Sequence, residues 1–282
     1  MNLALSVEGK RPDGYHEIQT IFQSIDLHDE IEFRPSESLS LHCQGLDDTP
    51  RENNLVWRAA VALAAATSTS QGAEILLRKR IPTGAGLGGG SSNAATALLA
   101  LRRLWNLEIS LQDLETLAGS LGSDAPFFLH GGTALGSGRG DEVHPLPDVQ
   151  PSIVVIVYPG VRVSTAEAYR ALSLRLTSSD KTNRIQRFYG QVERGLGYLG
   201  EIFNDFETSI LPAYPEIREA KDFLARLGAT ATLLSGSGSS VFGFFPDEES
   251  ALAVCRAAGR DTWQVFPAKT LSRAEYFQRL YG

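Results

Sequence analysis

Between Pro82 and Asn93 the chain reads Pro-Thr-Gly-Ala-Gly-Leu-Gly-Gly-Gly-Ser-Ser-Asn, with glycine at five of twelve positions. A strand-like run, Glu74 to Ile81, precedes it, and an Ala- and Leu-rich run with helical spacing, Ser92 to Trp105, follows. Glycine lacks a Cβ, so successive backbone N–H groups can close around a phosphate, and the helix N-terminus behind them adds a favourable dipole. The physical reading is an anion-binding loop.

Two familiar glycine motifs fit it poorly. Gly84 to Gly89 satisfies GxGxxG, but the dinucleotide fold wants a buried parallel strand ahead of it, and here Arg78, Lys79, Arg80 and Pro82 intervene. The spacing also echoes a P-loop, yet Gly90 occupies the position of that motif's phosphate-binding lysine. A ligand-free hairpin would leave Ser91, Ser92 and Asn93 unexplained.

The segment resembles the Pro-x-x-x-Gly-Leu-Gly-Ser-Ser motif of GHMP kinases, in the variant with two extra glycines found in the diphosphocytidyl-methylerythritol kinases. The resemblance implies that Pro82, Thr83, Gly84, Ala85, Gly86, Leu87, Gly88, Gly89, Gly90, Ser91 and Ser92 bind ATP. It also implies that a hydroxyl of the serine pair, assigned to Ser92, reaches Mg2+.

Further blocks extend the likeness over nearly the whole chain. Gly9 to Glu17 (Gly-Lys-Arg-Pro-Asp-Gly-Tyr-His-Glu) is similar to the family's Gly-Tyr-His segment. A Tyr-His pair at a strand entrance is ordinarily packing; in the family it serves the cytidine, and Tyr15 suits stacking while His16 suits a base edge. Leu121 to Phe128 resembles the Gly-x-Asp-x-Pro-x-Phe block. An acid after a helix-ending glycine is usually a turn residue, but the family's catalytic carboxylate falls on Asp124, where it accepts or orients the proton of the attacking hydroxyl. Leu234 to Phe242 is similar to a second glycine-rich motif, although alone it reads as a hairpin turn. The same resemblance places Asn54 near adenine and lets Tyr169 stack on the cytosine. Asn2 and Asp124 join Tyr15, His16 and Tyr169 as substrate-binding residues, and Asn204-Asp205-Phe206-Glu207 reads as a structural corner.

The implied reaction is ATP-dependent phosphorylation of the 2-hydroxyl of 4-diphosphocytidyl-2-C-methyl-D-erythritol, a step of non-mevalonate isoprenoid synthesis. Its competitors are another GHMP kinase of homoserine or mevalonate type, a nucleotide-binding protein without catalysis, and, more distantly, a nicotinamide oxidoreductase.

The implied fold class is α+β, the GHMP kinase fold. A ribosomal protein S5 domain 2-like domain spans 1–149 and a ferredoxin-like domain spans 150–282, with about 265–282 expected to pack back on the first. Strands are expected at Asn2–Val7, Ile18–Ile25, Glu30–Phe33 and Leu39–Cys43 in one antiparallel sheet, with Leu3, Leu5 and Val7 alternating. Helices are expected at Asn53–Ala65, Ser110–Gly122, Thr165–Ser173, Val192–Phe203, Glu216–Leu227 and Glu248–Ala258. Later strands fall at Thr133–Leu135, Ser152–Tyr158, Ala231–Leu234, Val241–Phe245 and Gln264–Ala268, and Ser173–Gly190 reads as a mobile loop.

Composition narrows the partners. Over 282 residues, 43% are hydrophobic and 21% charged, the balance of a globular protein. A formal charge of −7 argues against a nucleic-acid partner. No apolar run is long enough to span a bilayer. The two cysteines, Cys43 and Cys255, lack disulfide or zinc spacing and read as buried thiols in a reducing cytoplasm. A monomer or weak homodimer is expected.

The family's Pro-Ala-Lys-x-Asn start matches here only at Met1 and Asn2, so its catalytic-pair lysine would fall one residue upstream, and the start as given is expected to be too late. Lys10, read as a turn residue, and Lys79, read as lying on a solvated strand face, are poor substitutes. Adding an upstream Pro-Ala-Lys is expected to raise turnover by about 10²- to 10³-fold, the scale of one electrostatic donor; an unchanged rate refutes it.

Overall fold

The protein is described by a computed structural model covering residues 1–45, 50–173, 182–194, 197–259 and 262–281. The elements run β1 (Asn2–Lys10), β2 (His16–Gln23), β3 (Glu30–Ser36), β4 (Ser40–Gln44), α1 (Leu55–Thr67), β5 (Gly72–Arg78) and α2 (Gly89–Leu104). Next come α3 (Leu111–Leu121), α4 (Phe127–His130), β6 (Thr133–Ser137), β7 (Glu142–Pro145), β8 (Ile153–Tyr158), α5 (Thr165–Ser173) and α6 (Thr182–Glu193). The rest are β9 (Phe203–Asn204), α7 (Glu207–Ala213), α8 (Pro215–Arg226), β10 (Ala231–Leu234), β11 (Val241–Phe245), α9 (Glu248–Ala257), β12 (Gln264–Lys269) and α10 (Arg273–Tyr281). They group into two compact units: residues 1–27, 84–87 and 131–282 form one, and 28–83 with 88–130 form the other. That grouping cuts the chain elsewhere than at 149.

The first unit holds two sheets. One has the order β7-β6-β2-β1-β9, with β9 parallel to β1 through Ala4↔Phe203 and Leu5↔Asn204. Because β1 lies between two partners, Asn2 to Val7 are all buried, not only Leu3, Leu5 and Val7. The buried amide of Asn2 is satisfied by donating to Thr20 Oγ1 at 2.8 Å, and that hydroxyl donates to the Ala4 carbonyl. The other sheet is antiparallel, β10-β11-β8-β12. Val155 and Val157 of β8 pack with Ile217, Ala220 and Leu224 of α8 and Ala251 and Val254 of α9, residues recurring at helical spacing on one face of each helix. The C-terminal segment returns to the chain start: Leu271 N–H donates to the Ser24 carbonyl, and Gln23 Nε2 donates to the Leu271 carbonyl at 2.8 Å.

The second unit is built on the sheet β3-β5-β4, in which β5 is antiparallel to β3 and parallel to β4. The first four strands therefore do not make one antiparallel sheet: β1 and β2 belong to one sheet, while β3 and β4 each pair with β5 in another. Ala73, Ile75 and Leu77 of β5 are buried. So are the small residues Ala59 and Ala60 of α1 and Ala94, Ala95 and Ala97 of α2, two helices packed on each other. The α3 start is capped as its sequence indicates, with Ser110 Oγ accepting from Asp113 N–H at 3.1 Å.

Several expectations fail for physical reasons. No helix spans Val192–Phe203: α6 ends at Glu193, and β9 begins at Phe203 after a stretch holding Gly195, Gly197 and Gly200. The expected loop Ser173–Gly190 is helical from Thr182, where Ile185, Phe188 and Val192 bury one face, while 174–181 lie outside the described residues. The short elements α4, β7 and α7 are too brief to show periodicity, and α10, with no buried residue, lacks an apolar stripe strong enough to announce itself. Cys43 is exposed and Cys255 half-buried, so neither is a core thiol. Lys10 ends β1 instead of sitting in a turn.

Gly72 opens β5 where a Cβ would lie 2.5 Å from the Ser38 backbone. Gly72→Ala is expected to destabilise by about 1–3 kcal/mol, the cost of forcing extra volume into a packed position. Urea unfolding should show a lower midpoint with an unchanged slope.

Candidate active site

The glycine segment is gripped at its entrance by one carboxylate. The side chain of Asp29, just before β3, is completely buried. Its Oδ1 accepts from the backbone N–H groups of Arg80 at 2.7 Å and Ile81 at 2.8 Å. Its Oδ2 accepts from Asn93 Nδ2 at 2.8 Å and from the Lys79 ammonium. These bonds explain why β5 ends at Arg78 instead of reaching Ile81: the amides of Arg80 and Ile81 turn to the carboxylate. They also tie that strand end to α2 through Asn93. Lys79 is 6% exposed and ion-paired, so it is not on a solvated face.

The helix begins three residues earlier than its sequence suggests. Gly84, Gly86 and Gly88 have φ of 72°, 76° and 68°, and Gly88 is the N-cap of α2. Positive φ at alternate positions is what only glycine adopts without strain. Gly89 opens the helix, and glycine is required there because a Cβ would meet Ile81 Cγ2 at 2.9 Å. No side chain caps the first turn, which leaves N-terminal amides and the positive end of the helix dipole to an anion.

The turn carrying Asp124 lies beside this helix start. A Cβ built on Gly122 would be 3.6 Å from Ser91 Oγ, and the turn is closed by Ala125 N–H donating to the Gly122 carbonyl at 3.0 Å. The Ser91 hydroxyl is thus placed against Gly122 of the carboxylate-bearing turn. Asp124 itself is reached by solvent, yet the protein crowded around its carboxyl desolvates the charge and pushes its pKa above the usual aspartate value. A raised pKa suits a group that must accept a proton.

Asn54 is the N-cap of α1: its Oδ1 accepts from Val56 N–H at 2.9 Å, and its Nδ2 reaches Cys43 Sγ at 3.4 Å. Its carbonyl is thereby committed to the helix.

In the other unit, the centre of the glycine segment meets the second glycine-rich loop, residues 235–240 between β10 and β11. Ser240 N–H donates to the Ala85 carbonyl at 2.9 Å, and Ser235 Oγ donates to the Gly86 carbonyl at 2.8 Å. The approach is so close that a Cβ on Gly86 would lie 2.3 Å from the Ser235 carbonyl oxygen. Asn2 is a neighbour of this loop, with Oδ1 3.6 Å from a Cβ built on Gly236.

The aromatic residues expected to take a base are also brought together. His16 stacks on Tyr169 with ring centroids 4.6 Å apart and planes 15° from parallel, and Tyr169 meets Phe206 edge-on at 4.8 Å. Burial, then the charge of Lys10, holds the His16 pKa below its usual value, so the ring is neutral near pH 7. Its Nε2 is buried with no hydrogen-bond partner, an orphan that a ligand's polar edge would satisfy. Tyr15 is 53% exposed beneath the Arg139 guanidinium, 4.8 Å from the ring centre.

Comparison with known proteins gives the family and the fold. Residues 54–132 match the GHMP kinases N terminal domain and 186–264 match GHMP kinases C terminal. A 4-diphosphocytidyl-2-C-methyl-D-erythritol kinase of Pelotomaculum thermopropionicum is 44% identical over 96% of both chains. The chain belongs to the 4-diphosphocytidyl-2-C-methyl-D-erythritol kinase family. A crystal structure of 4-(cytidine 5'-diphospho)-2C-methyl-D-erythritol kinase superimposes with a TM-score of 0.81 at 38% identity, covering 95% of this chain and 96% of that one. A homoserine kinase from Cytophaga hutchinsonii, 20% identical with a TM-score of 0.70 over 96% and 93% of the two chains, shares the fold.

For this member of the 4-diphosphocytidyl-2-C-methyl-D-erythritol kinase family, sequence reasoning missed Asp29 and Arg139, and it read Ser235 only as part of the Leu234 to Phe242 motif without its bond to Gly86. Asp29 sits in the unremarkable run Leu27-His28-Asp29-Glu30, 51 and 52 residues before the backbone amides it holds, and no local pattern marks it. Asp29→Ala leaves the Lys79 ammonium buried without its partner and is expected to cost about 3–5 kcal/mol. The pair Asp29→Leu with Lys79→Met should cost measurably less than Asp29→Ala, read from chemical unfolding midpoints.

Proposed function

We propose that the chain transfers the γ-phosphoryl group of ATP to the 2-hydroxyl of 4-diphosphocytidyl-2-C-methyl-D-erythritol. The observation that carries this reading is the Gly122–Asp124 turn lying against Ser91 at the uncapped start of α2, which sets a proton acceptor beside an anion-binding helix end. Family membership at 44% identity over 96% of the chain supports the substrate.

The roles divide by chemistry. Within the segment Pro82 to Ser92 the phosphates are held by backbone N–H groups, which Pro82 lacks and the residues after it supply. Asp124 accepts the proton of the acceptor hydroxyl as its oxygen bonds to the γ-phosphorus; the bond from that phosphorus to the bridging β,γ-oxygen breaks, and ADP leaves with the electron pair. His16, Tyr15 and Tyr169 receive the cytosine, His16 through its unpartnered Nε2. Asn2 belongs to the substrate-binding set, and Asn54 lies near adenine while also capping α1.

Mg2+ fits the hard oxygen donors present, the Ser91 and Ser92 hydroxyls and the Asp124 carboxylate. Among the described residues there is no group of three or more His, Cys, Asp or Glu side chains that would cage a metal without help from phosphates. Bound there, it would neutralise charge on the phosphate oxygens. No described helix is long and apolar enough to cross a membrane, and we read the enzyme as a cytoplasmic monomer or weak homodimer. The two family matches fall on either side of residue 149, which supports a division into 1–149 and 150–282.

A coupled ADP-release assay tests the reading: turnover should require the cytidine alcohol, with homoserine and mevalonate inert. Asp124→Asn is expected to lower kcat by roughly 10²- to 10⁴-fold. Because the native carboxyl has a raised pKa, the rate should fall with acidification at a pH above the ordinary aspartate value, as the proton acceptor is lost. The sign for stability is opposite: a carboxyl with a raised pKa supports the fold when protonated and opposes it as pH rises through that value. At neutral pH Asp124→Asn should therefore raise the melting temperature while lowering turnover. An active Asp124→Asn enzyme contradicts the assignment.

A further inference from the structure

Asn204 lies in the Asn-Asp-Phe-Glu corner, where its side chain spends all its main hydrogen-bonding capacity on backbone. Nδ2 donates to the carbonyls of Leu234 at 2.9 Å and Gly236 at 2.7 Å, and Oδ1 accepts from Phe206 N–H at 3.0 Å. The two carbonyls flank Ser235, whose hydroxyl donates to the Gly86 carbonyl at 2.8 Å. Leu234 is held from its other side as well, because Glu207 Oε1 accepts its N–H at 2.9 Å while Lys221 Nζ donates to both Glu207 oxygens at 2.6 Å. Asn204 is 5% exposed and Ser235 fully buried, so no solvent competes for these bonds.

A corner needed only for chain reversal would be satisfied by the Phe206 bond, an ordinary Asx turn. The two donors sent instead into the 235–240 loop fix Ser235 in place, and Ser235 with Ser240 fixes Ala85 and Gly86. We infer that Asn204 is a positioning residue for the nucleotide, acting through Ser235 on the backbone of the glycine segment. This rests on the reading of that segment as the triphosphate site. Gly86 has no side chain of its own with which to hold its positive φ, so the geometry of its amide depends on what its carbonyl is bonded to.

The test compares the wild-type chain with Ser235→Ala, which deletes only the bond to Gly86, and Asn204→Asp, which deletes both donors and sets a carboxylate against two carbonyls. Titration calorimetry measures two probes, AMPPNP with Mg2+ and CDP alone. Loss of one hydrogen bond should weaken AMPPNP about 3- to 10-fold in Ser235→Ala, and the unsatisfied carbonyls should weaken it by at least about tenfold in Asn204→Asp. CDP affinity is expected to stay within twofold, and steady-state kinetics should show KM for ATP rising more than kcat falls. Unchanged AMPPNP binding in both variants overturns the inference, as does equal weakening of AMPPNP and CDP, the mark of a general structural role. If the wild-type chain binds CDP but not AMPPNP, the nucleotide reading itself fails and takes this inference with it.

Discussion

A segment rich in glycine has almost no side chains with which to hold itself, and this protein meets that constraint with hydrogen bonds from outside the segment. At its entrance a buried carboxylate, Asp29, gathers two backbone amides, an ammonium and the Asn93 amide. At its centre Ser235 and Ser240 hold the carbonyls of Gly86 and Ala85. With both stretches fixed, the amides that open α2 need no side-chain cap and stay available to an anion. The chemistry proposed for Asp124 depends on this, since phosphoryl transfer is governed mainly by positioning and electrostatics.

The same logic explains why polar residues are buried here. Asn2, Thr20, Asn204 and Ser235 are hidden from solvent, and each has a partner. Burying such groups unpaired would cost stability, whereas paired they fix one arrangement out of many. His16 Nε2 departs from this pattern: the ring is stacked and oriented by Tyr169, yet the nitrogen is unpaired. An oriented, unsatisfied polar atom on an aromatic platform is what recognition of a nucleobase edge requires.

Much of this was legible in the sequence where the signal is local. Strongly periodic runs such as those of α1, α2, α8 and β8 read correctly in type, and the Ser110 cap could be placed to the residue. The glycine segment and the Asp124 block were recognisable because their residue types are unusual in combination. What could not be read was pairing at a distance. The parallel union of β1 with Phe203–Asn204, the insertion of β5 between β3 and β4, and the clamp from Asp29 to Lys79 join residues that no window of sequence contains. Lys79 shows the limit well: among Arg78 and Arg80 it reads as one more surface cation, and only the tertiary fold distinguishes it.

The assignment of residues to the two compact units bears on how the chain is made. Every residue of the unit formed by 28–83 and 88–130 has been synthesised once His130 is added, before the midpoint of the 282-residue chain. The other unit needs β9 to complete the sheet begun by β1, and Thr270 and Leu271 to close against Ile25 and Ser24. On the ribosome β1 therefore emerges first with one edge open until β9 is made, whereas β2 gains β6 much earlier. The first strand of the nascent chain is thus the one whose free edge needs protection from misassociation until Phe203 and Asn204 arrive.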